Sequence, residues 1–234
     1  MKTMKLTTLV AMAAMTVAMV GCCSQEKSAC DKTADCDKKT ACCEAKTYTK
    51  KYTNADFYTD GKFNEAVAIE AMKDMLKFYD VPFTKFMEGN FWVAEFGVGD
   101  FENVGMGGIF WVNDKEHNYF AHTIYLLPGQ MIPEHAHFPT DMPAKFESWM
   151  VSKGWVNNFS EVGEPMANMP AIPASHGPVK STNFVKQNVG EIVHLKGLET
   201  YHFLMAGPEG AIVEEWASYH DNAGLRFTKE GASL

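Results

Sequence analysis

The chain reads as a mainly β protein, a jelly-roll β-barrel preceded by a short N-terminal helix. Ten short runs rich in Val, Ile, Phe, Tyr and Trp fall between residues 91 and 218, separated by Gly, Pro, Asn and Asp. One stretch with helical spacing precedes them, and no repeat of solenoid or propeller period is present in this part. The 234 residues are 46% hydrophobic and 12% aromatic, enough for one sizeable core. That size excludes a large multidomain enzyme, and the composition excludes disorder throughout. With 29 acidic against 21 basic residues the net charge is −8, so a polyanion would be repelled and nucleic acid is not an expected partner.

Elements follow in chain order from an N-terminal address. Lys2 and Lys5 precede an apolar stretch from Leu6 to Val20, and Met19-Val20-Gly21-Cys22 closes it. This is a secretory layout, and a small residue before a cysteine resembles the bacterial lipobox. About 15 apolar residues fall short of the roughly 20 that a spanning helix requires. The resemblance implies a lipoprotein signal peptide over 1–21, cleavage before Cys22, and a membrane partner reached through lipidated Cys22, with the protein exported and anchored at the cell envelope. All six cysteines lie between 22 and 43. A period-six repeat carries Cys30, Cys36 and Cys42, mixes both charges and lacks large apolar residues, so 22–46 reads as a flexible tether. A metal or redox role for its cysteines lacks the CxxC pair that tetrahedral sites favour, while disulfides within it suit an oxidising compartment.

The folded domain is expected over 47–234. Ala68, Met72, Met75, Leu76 and Tyr79 repeat at helical spacing between Asn64 and Tyr79, and Pro82 follows. Strands are expected at 91–97, 106–112, 118–127, 131–137, 146–152, 154–159, 181–186, 190–195, 201–206 and 211–218. The stretch 160–180 holds four prolines and no strand pattern, and reads as a long loop that covers the site mouth.

The densest group of possible ligands is Pro133-Glu134-His135-Ala136-His137, with Glu147 on the next expected strand. Alternation places His135 and His137 on one strand face, and a hairpin would bring Glu147 beside them. Imidazole with carboxylate suits a divalent transition metal such as Mn, Fe, Co, Ni or Zn. His117, His122, His176 and His220 have no supporting constellation.

Gly129 stands six residues before His135-Ala136-His137, and Glu147 stands seven before Gly154, which resembles the first motif of the cupin superfamily. That resemblance implies a fourth ligand, a histidine on a later hairpin, for which His202 and His194 compete; His202 is preferred because it follows the turn at Gly197, whereas His194 lies inside an expected strand. A narrower resemblance rests on Phe96-Gly97-Val98-Gly99-Asp100-Phe101, Leu127-Pro128-Gly129-Gln130, Lys145-Phe146-Glu147 and Tyr201-His202-Phe203. Together with Ala206-Gly207-Pro208-Glu209-Gly210-Ala211 and Val213-Glu214-Glu215, these are similar to the bacterial D-lyxose ketol-isomerase family over roughly 90–227. That resemblance implies a cupin-type jelly roll and a metal site, Mn²⁺ first with Fe²⁺, Co²⁺ or Zn²⁺ as alternatives, ligated by His135, His137, Glu147 and His202. It also places a substrate-contacting lysine at Lys145, a catalytic glutamate at Glu215, and a small sugar as substrate, D-lyxose or D-mannose. The family's closing Phe-x-Asp-Pro element is replaced by Phe227-Thr228-Lys229-Glu230.

The residue types suit that chemistry. Aldose–ketose exchange moves a proton between neighbouring carbons, which asks for a base, an acid and a stabilised enediolate. Two other readings share the ligand set: an Fe(II) dioxygenase, which would need oxygen, and a non-enzymatic carbohydrate- or metal-binding lipoprotein, which would bind without turnover. The oligomeric state is open, a homodimer being the commonest symmetric assembly.

Overall fold

The computed structural model describes residues 47–49 and 51–234. The expected signal peptide and Cys-rich tether lie outside the described residues. A small N-terminal layer comes first: helix α1 (Asn54–Phe57), a two-stranded ribbon of β1 (Tyr58–Thr59) and β2 (Lys62–Phe63), helix α2 (Glu65–Phe78) and helix α3 (Lys85–Asn90). Strand β3 (Trp92–Ala94) leads into β4 (Met106–Asp114), β5 (Tyr119–Leu126), β6 (His135–His137) and β7 (Glu147–Ser160). After a long loop come β8 (Asn183–Asn188), β9 (Ile192–His194), β10 (His202–Ala217) and β11 (Leu225–Phe227).

Helix α2 is the helix expected from the sequence. Asn64 caps it by accepting a hydrogen bond from the Val67 amide, and Lys77 lies in its last turn, where a cation suits the helix dipole. Its buried face is Ala68, Ala71, Met72, Met75 and Leu76, a 3–4 spacing that forms one stripe. Burial of Met72, Met75 and Leu76 contributes about 1.5–3 kcal/mol each. The helices α1 and α3 are additional to the expected single helix; four and six residues are too short to show helical periodicity.

Nine strands form one curled antiparallel sheet, the expected cupin-type jelly roll. The path runs β11-β6-β10-β5-β4-β3, and β7 pairs with β10, β8 and β9. Alternation along the strands divides two cores. Ile109, Tyr125 and Ile212 face outward and pack with the stripe of α2, whereas Met106, Ile124, Leu126, Val151, Ala211 and Val213 pack inside the curl.

Two pairs of expected strands are each one long strand. Residues 146–152 and 154–159 merge into β7, and 201–206 and 211–218 merge into β10, with a register shift between Ala206 and Ala211. The chain bends rather than reverses at these junctions, where Gly154 and Gly210 have φ of +68° and +77°. A Cβ on Gly154 would overlap the Gly210 carbonyl oxygen, so the close approach of the two strands at this bend requires a glycine.

The loop 161–181 does not cover the site. No residue of it lines the main cavity. It is held instead against the start of β6, where buried Glu134 accepts hydrogen bonds from the Lys180 and Ser181 amides at 2.7 Å each. His176, also fully buried, lies with Nε2 3.1 Å from the Ile132 carbonyl and 3.2 Å from the Glu134 amide.

Candidate active site

Strands β6, β7 and β10 deliver the ligand candidates to one place inside the curl. On β6, His135 and His137 point to the same side, and His202 at the start of β10 is paired in register with His135. The ligand-capable ring atoms of His135, His137 and His202 all lie within 4.8 Å of one another. Glu147 reaches the group by a route other than the expected hairpin: β6 pairs with β10 and β11, and β7 arrives from the other side of β10. The closure of the sheet, rather than a β6–β7 turn, brings Glu147 Oε2 to 3.0 Å from His202 Nε2 and Oε1 to 3.3 Å from His137 Nε2. His194 is elsewhere, exposed and 2.8 Å from the Ser148 hydroxyl.

The hydrogen bonds of these side chains leave donor atoms over for a cation. His135 Nδ1 donates to the Pro133 carbonyl and His202 Nδ1 to the Thr200 carbonyl, each at 2.9 Å, which leaves Nε2 of each ring as a bare lone pair. Although His202 Nε2 and Glu147 Oε2 lie within ion-pair distance, both are buried and neither makes a hydrogen bond, and the same is true of both ring nitrogens of His137. Buried polar atoms converging without hydrogen-bond partners are costly unless a proton or a cation joins them. Three imidazoles and one carboxylate are a donor set for a divalent transition metal. Burial, then the neighbouring His202 and His137, holds His135 well below the usual histidine range, which favours the neutral form that ligates. Burial also depresses His137, and it opposes the upward pull of Glu147 on His202, which prevails.

A second layer of charge adjoins the first. Lys145 is buried; its Nζ donates to Glu147 Oε1 at 2.7 Å and to Glu215 Oε1, and it lies 4.3 Å from the Phe120 ring centroid. Burial alone would discharge this lysine, but Glu147 and Glu215 together raise its pKa above the ordinary value. Burial opposes ionisation of Glu215 as well, and the Lys145 ammonium outweighs it, so the carboxyl sits below its usual range. The same competition, with Lys145, His137 and His202 on the winning side, holds Glu147 well below it. Alternation separates the two adjacent glutamates of β10. Glu215 is buried inside, while Glu214 faces out and accepts hydrogen bonds from the Thr123 and Ser152 hydroxyls at 2.6 and 3.2 Å.

The remaining cavity wall is largely aromatic, with Trp92, Phe96, Phe110, Phe120 and Phe227 around the charged group. Two histidines without a constellation in the sequence also line it. His220 stands in the loop after β10, where no periodic pattern could mark it; its Nε2 lies 2.7 Å from Asn222 Oδ1, and its buried Nδ1 has no partner among the described residues. Burial lowers its pKa to about 4. His122 was legible in principle, because it alternates with Phe120 and Ile124 on the inward face of β5, directly opposite Glu215. His117 is exposed beside Asp114, and buried His176 serves the loop, as bland positions would.

The geometry provides a cavity with a cation-ready donor set, an ionised buried carboxylate beside it, and an ammonium shared between the two. The chain is 34% identical over 162 residues to a D-lyxose/D-mannose isomerase of Thermosediminibacter oceani, covering 68% of this chain and 87% of that protein. It is 34% identical over 133 residues to a D-lyxose ketol-isomerase of Cohnella laeviribosi, covering 54% and 69%. No family model matches the chain. Among solved structures, an L-ribose isomerase of Acinetobacter sp. DL28 in complex with L-ribose shares the fold at a TM-score of 0.54, with 17% identity over 70% of this chain and 91% of that one.

Proposed function

This chain belongs to the D-lyxose/D-mannose isomerase family, and from that premise we propose that it is a metal-dependent sugar isomerase that interconverts a free aldose and its ketose, with D-lyxose or D-mannose as the aldose. The observation that carries the reading is the buried ionised pair of Glu215 and Lys145 set directly against the three-histidine group. His135, His137, His202 and Glu147 would hold the ion, and Mn²⁺ suits their mix of imidazole and carboxylate. When bound, a divalent cation supplies Lewis acidity toward the oxygens of the sugar's first two carbons.

The chain's own groups supply the proton movement. Glu215 takes the hydrogen from C2 of the aldose as a proton and returns it to C1, while a proton passes from the C2 hydroxyl to O1. Lys145 keeps Glu215 ionised in a cavity whose walls would otherwise favour the neutral acid, so the base is ready at neutral pH. Its ammonium also stabilises negative charge on the sugar oxygens in the enediolate. The largely apolar wall lowers the local dielectric around these groups, which strengthens both effects.

The residues outside the described part support a location. A charged start, an apolar stretch and Gly21-Cys22 favour export and anchorage through Cys22, with 22–46 as the tether. An isomerase held there acts on sugars outside the cytoplasm.

The test is anaerobic incubation of the Mn²⁺-loaded protein with D-lyxose and with D-mannose, followed by ¹³C NMR. The reading predicts D-xylulose or D-fructose without oxygen. Absence of ketose from metal-loaded protein, or ketose only when oxygen is admitted, would refute it.

A further inference from the structure

The proposed base is gripped from two sides, and the second grip belongs to a residue without an assigned role. Lys145 holds Glu215 Oε1, and His122 Nδ1 lies 3.4 Å from Glu215 Oε2. His122 and Glu215 are direct cross-strand partners on β5 and β10, both about 5% exposed, so the backbone register itself sets the side chains against each other. The imidazole is clamped: its ring stacks on Trp92 at 5.5 Å and 20°, and the edge of Phe110 meets it at 4.9 Å and 84°. The facing strand makes room for it. A Cβ on Gly108 would overlap both Trp92 and His122 Nε2, so a glycine there is required by the ring's position.

The other ring nitrogen decides the proton's place. His122 Nε2 is buried and has no hydrogen-bond partner among the described residues. A proton on Nε2 would be an unsatisfied donor in an aromatic slot and would turn a lone pair toward the Glu215 carboxylate. A proton on Nδ1 avoids both costs and points at Oε2. Burial favours the neutral ring, so that single proton is the one available.

On the isomerase reading above, we propose that His122 is a positioning residue: as the neutral Nδ1–H tautomer it donates to Glu215 Oε2 and, with Lys145 on Oε1, fixes the carboxylate plane from which Glu215 exchanges a proton with the sugar. The contact, at 3.4 Å, is longer than the usual N–H···O distance, as catalytic hydrogen bonds often are in the absence of substrate. His122 itself exchanges no proton with the sugar. Its contribution is orientation, which a base needs because a small misalignment raises the barrier to proton transfer.

Three variants separate positioning from packing. H122N places an amide donor near the lost Nδ1, H122Q places one near Nε2, and H122L keeps bulk without a donor. With the full-length metal-loaded protein, H122L and H122Q are expected to lose at least about tenfold in kcat with KM nearly unchanged, and H122N to recover most of it. The kinetic isotope effect on kcat with an aldose deuterated at C2 should rise in H122L and H122Q, because hydrogen transfer becomes more rate-limiting, and return toward wild type in H122N. Wild-type kcat and isotope effect in H122Q, or equal losses in H122N and H122Q, would overturn the proposal; this comparison stands even where H122L fails to fold. A second readout does not depend on turnover. Long-range ¹H–¹⁵N NMR on the metal-free full-length chain, with His122 assigned by its loss in H122N, should show protonation at Nδ1 and a bare Nε2. Protonation at Nε2 would overturn the proposal by itself, whereas a wild-type protein inactive on every sugar but showing the Nδ1–H tautomer would count against the isomerase reading alone.

Discussion

Replacing Lys145 by Met tests the electrostatic arrangement most sharply, because it removes a cation and leaves similar bulk. In the wild type one buried ammonium, 4% exposed, serves two buried carboxylates, at 2.7 Å to Glu147 and closer still to Glu215. A unit charge pair at about 2.7 Å is worth roughly 6 kcal/mol at an effective dielectric constant near 20, and much of that offsets desolvation. Without the lysine, two carboxylates share a dry cavity, and one must take up a proton. Protonating a carboxyl of ordinary pKa about 4.3 at pH 7 costs about 4 kcal/mol, which agrees with the roughly 3–5 kcal/mol found when one partner of a buried ion pair is removed. The metal-free K145M protein should therefore be about 4 kcal/mol less stable at pH 7, a fall in Tm of about 8–15 °C for a domain of this size. The pH dependence fixes the sign. In the variant the protonated carboxyl has a raised folded-state pKa, so its stabilisation is complete below about pH 4.3 and is lost as pH rises, by about 1.4 kcal/mol per unit. In the wild type Glu147 and Glu215 are depressed, so their contribution is present above the unfolded value and lost as pH falls through the folded one. The two stabilities should converge between pH 7 and about pH 4.5. Urea unfolding in chelator at several pH values measures this, and a variant within about 1 kcal/mol of wild type at pH 7, or a gap independent of pH, would refute the reasoning.

Other perturbations separate chemistry from scaffold. E215Q should keep its metal and lose about 10²–10⁴-fold in kcat, since the amide retains shape but cannot accept the proton; unchanged turnover would remove Glu215 from the mechanism. E134Q turns an amide group toward one of the Lys180 and Ser181 amides, which should cost about 1–3 kcal/mol and raise hydrogen exchange in 161–181; protection equal to wild type would mean that Glu134 does not anchor the loop. G154A places a Cβ against the Gly210 carbonyl at a φ of +68°, and thermal unfolding should show a loss of at least about 1–2 kcal/mol. A neutral G154A would mean that β7 and β10 do not bend as described.

Legibility in the sequence depended on how local each signal was. The α2 stripe could be read because Ala68 to Leu76 repeat within one helix, and the inward pair His135 and His137 because strand alternation is a two-residue rule. The choice of Glu215 over Glu214 for the interior needed a family resemblance, since alternation alone says only that the two differ. The long strands were hidden because Gly154 and Gly210 carry the local chemistry of a turn while tertiary pairing keeps the chain extended through them. Glu147 reaches the histidines by closure of the sheet rather than by the expected hairpin, a long-range property that no window of sequence contains. His122 and His220 stand in no local constellation because each acquires its meaning from a residue far away in the chain, Glu215 for one and the cavity beside His137 for the other.

The proposed function depends on an ion held by His135, His137, His202 and Glu147. Its most direct test is one titration on the full-length protein: remove metal with chelator, measure ketose formation, then restore Mn²⁺ in steps while recording metal bound per chain and turnover together, for wild type and H137A. Background turnover is expected in the metal-free protein, with recovery that saturates at one ion per wild-type chain. H137A should need at least about tenfold more metal. Full turnover without detectable metal, or a recovery curve for H137A identical to wild type, would contradict it.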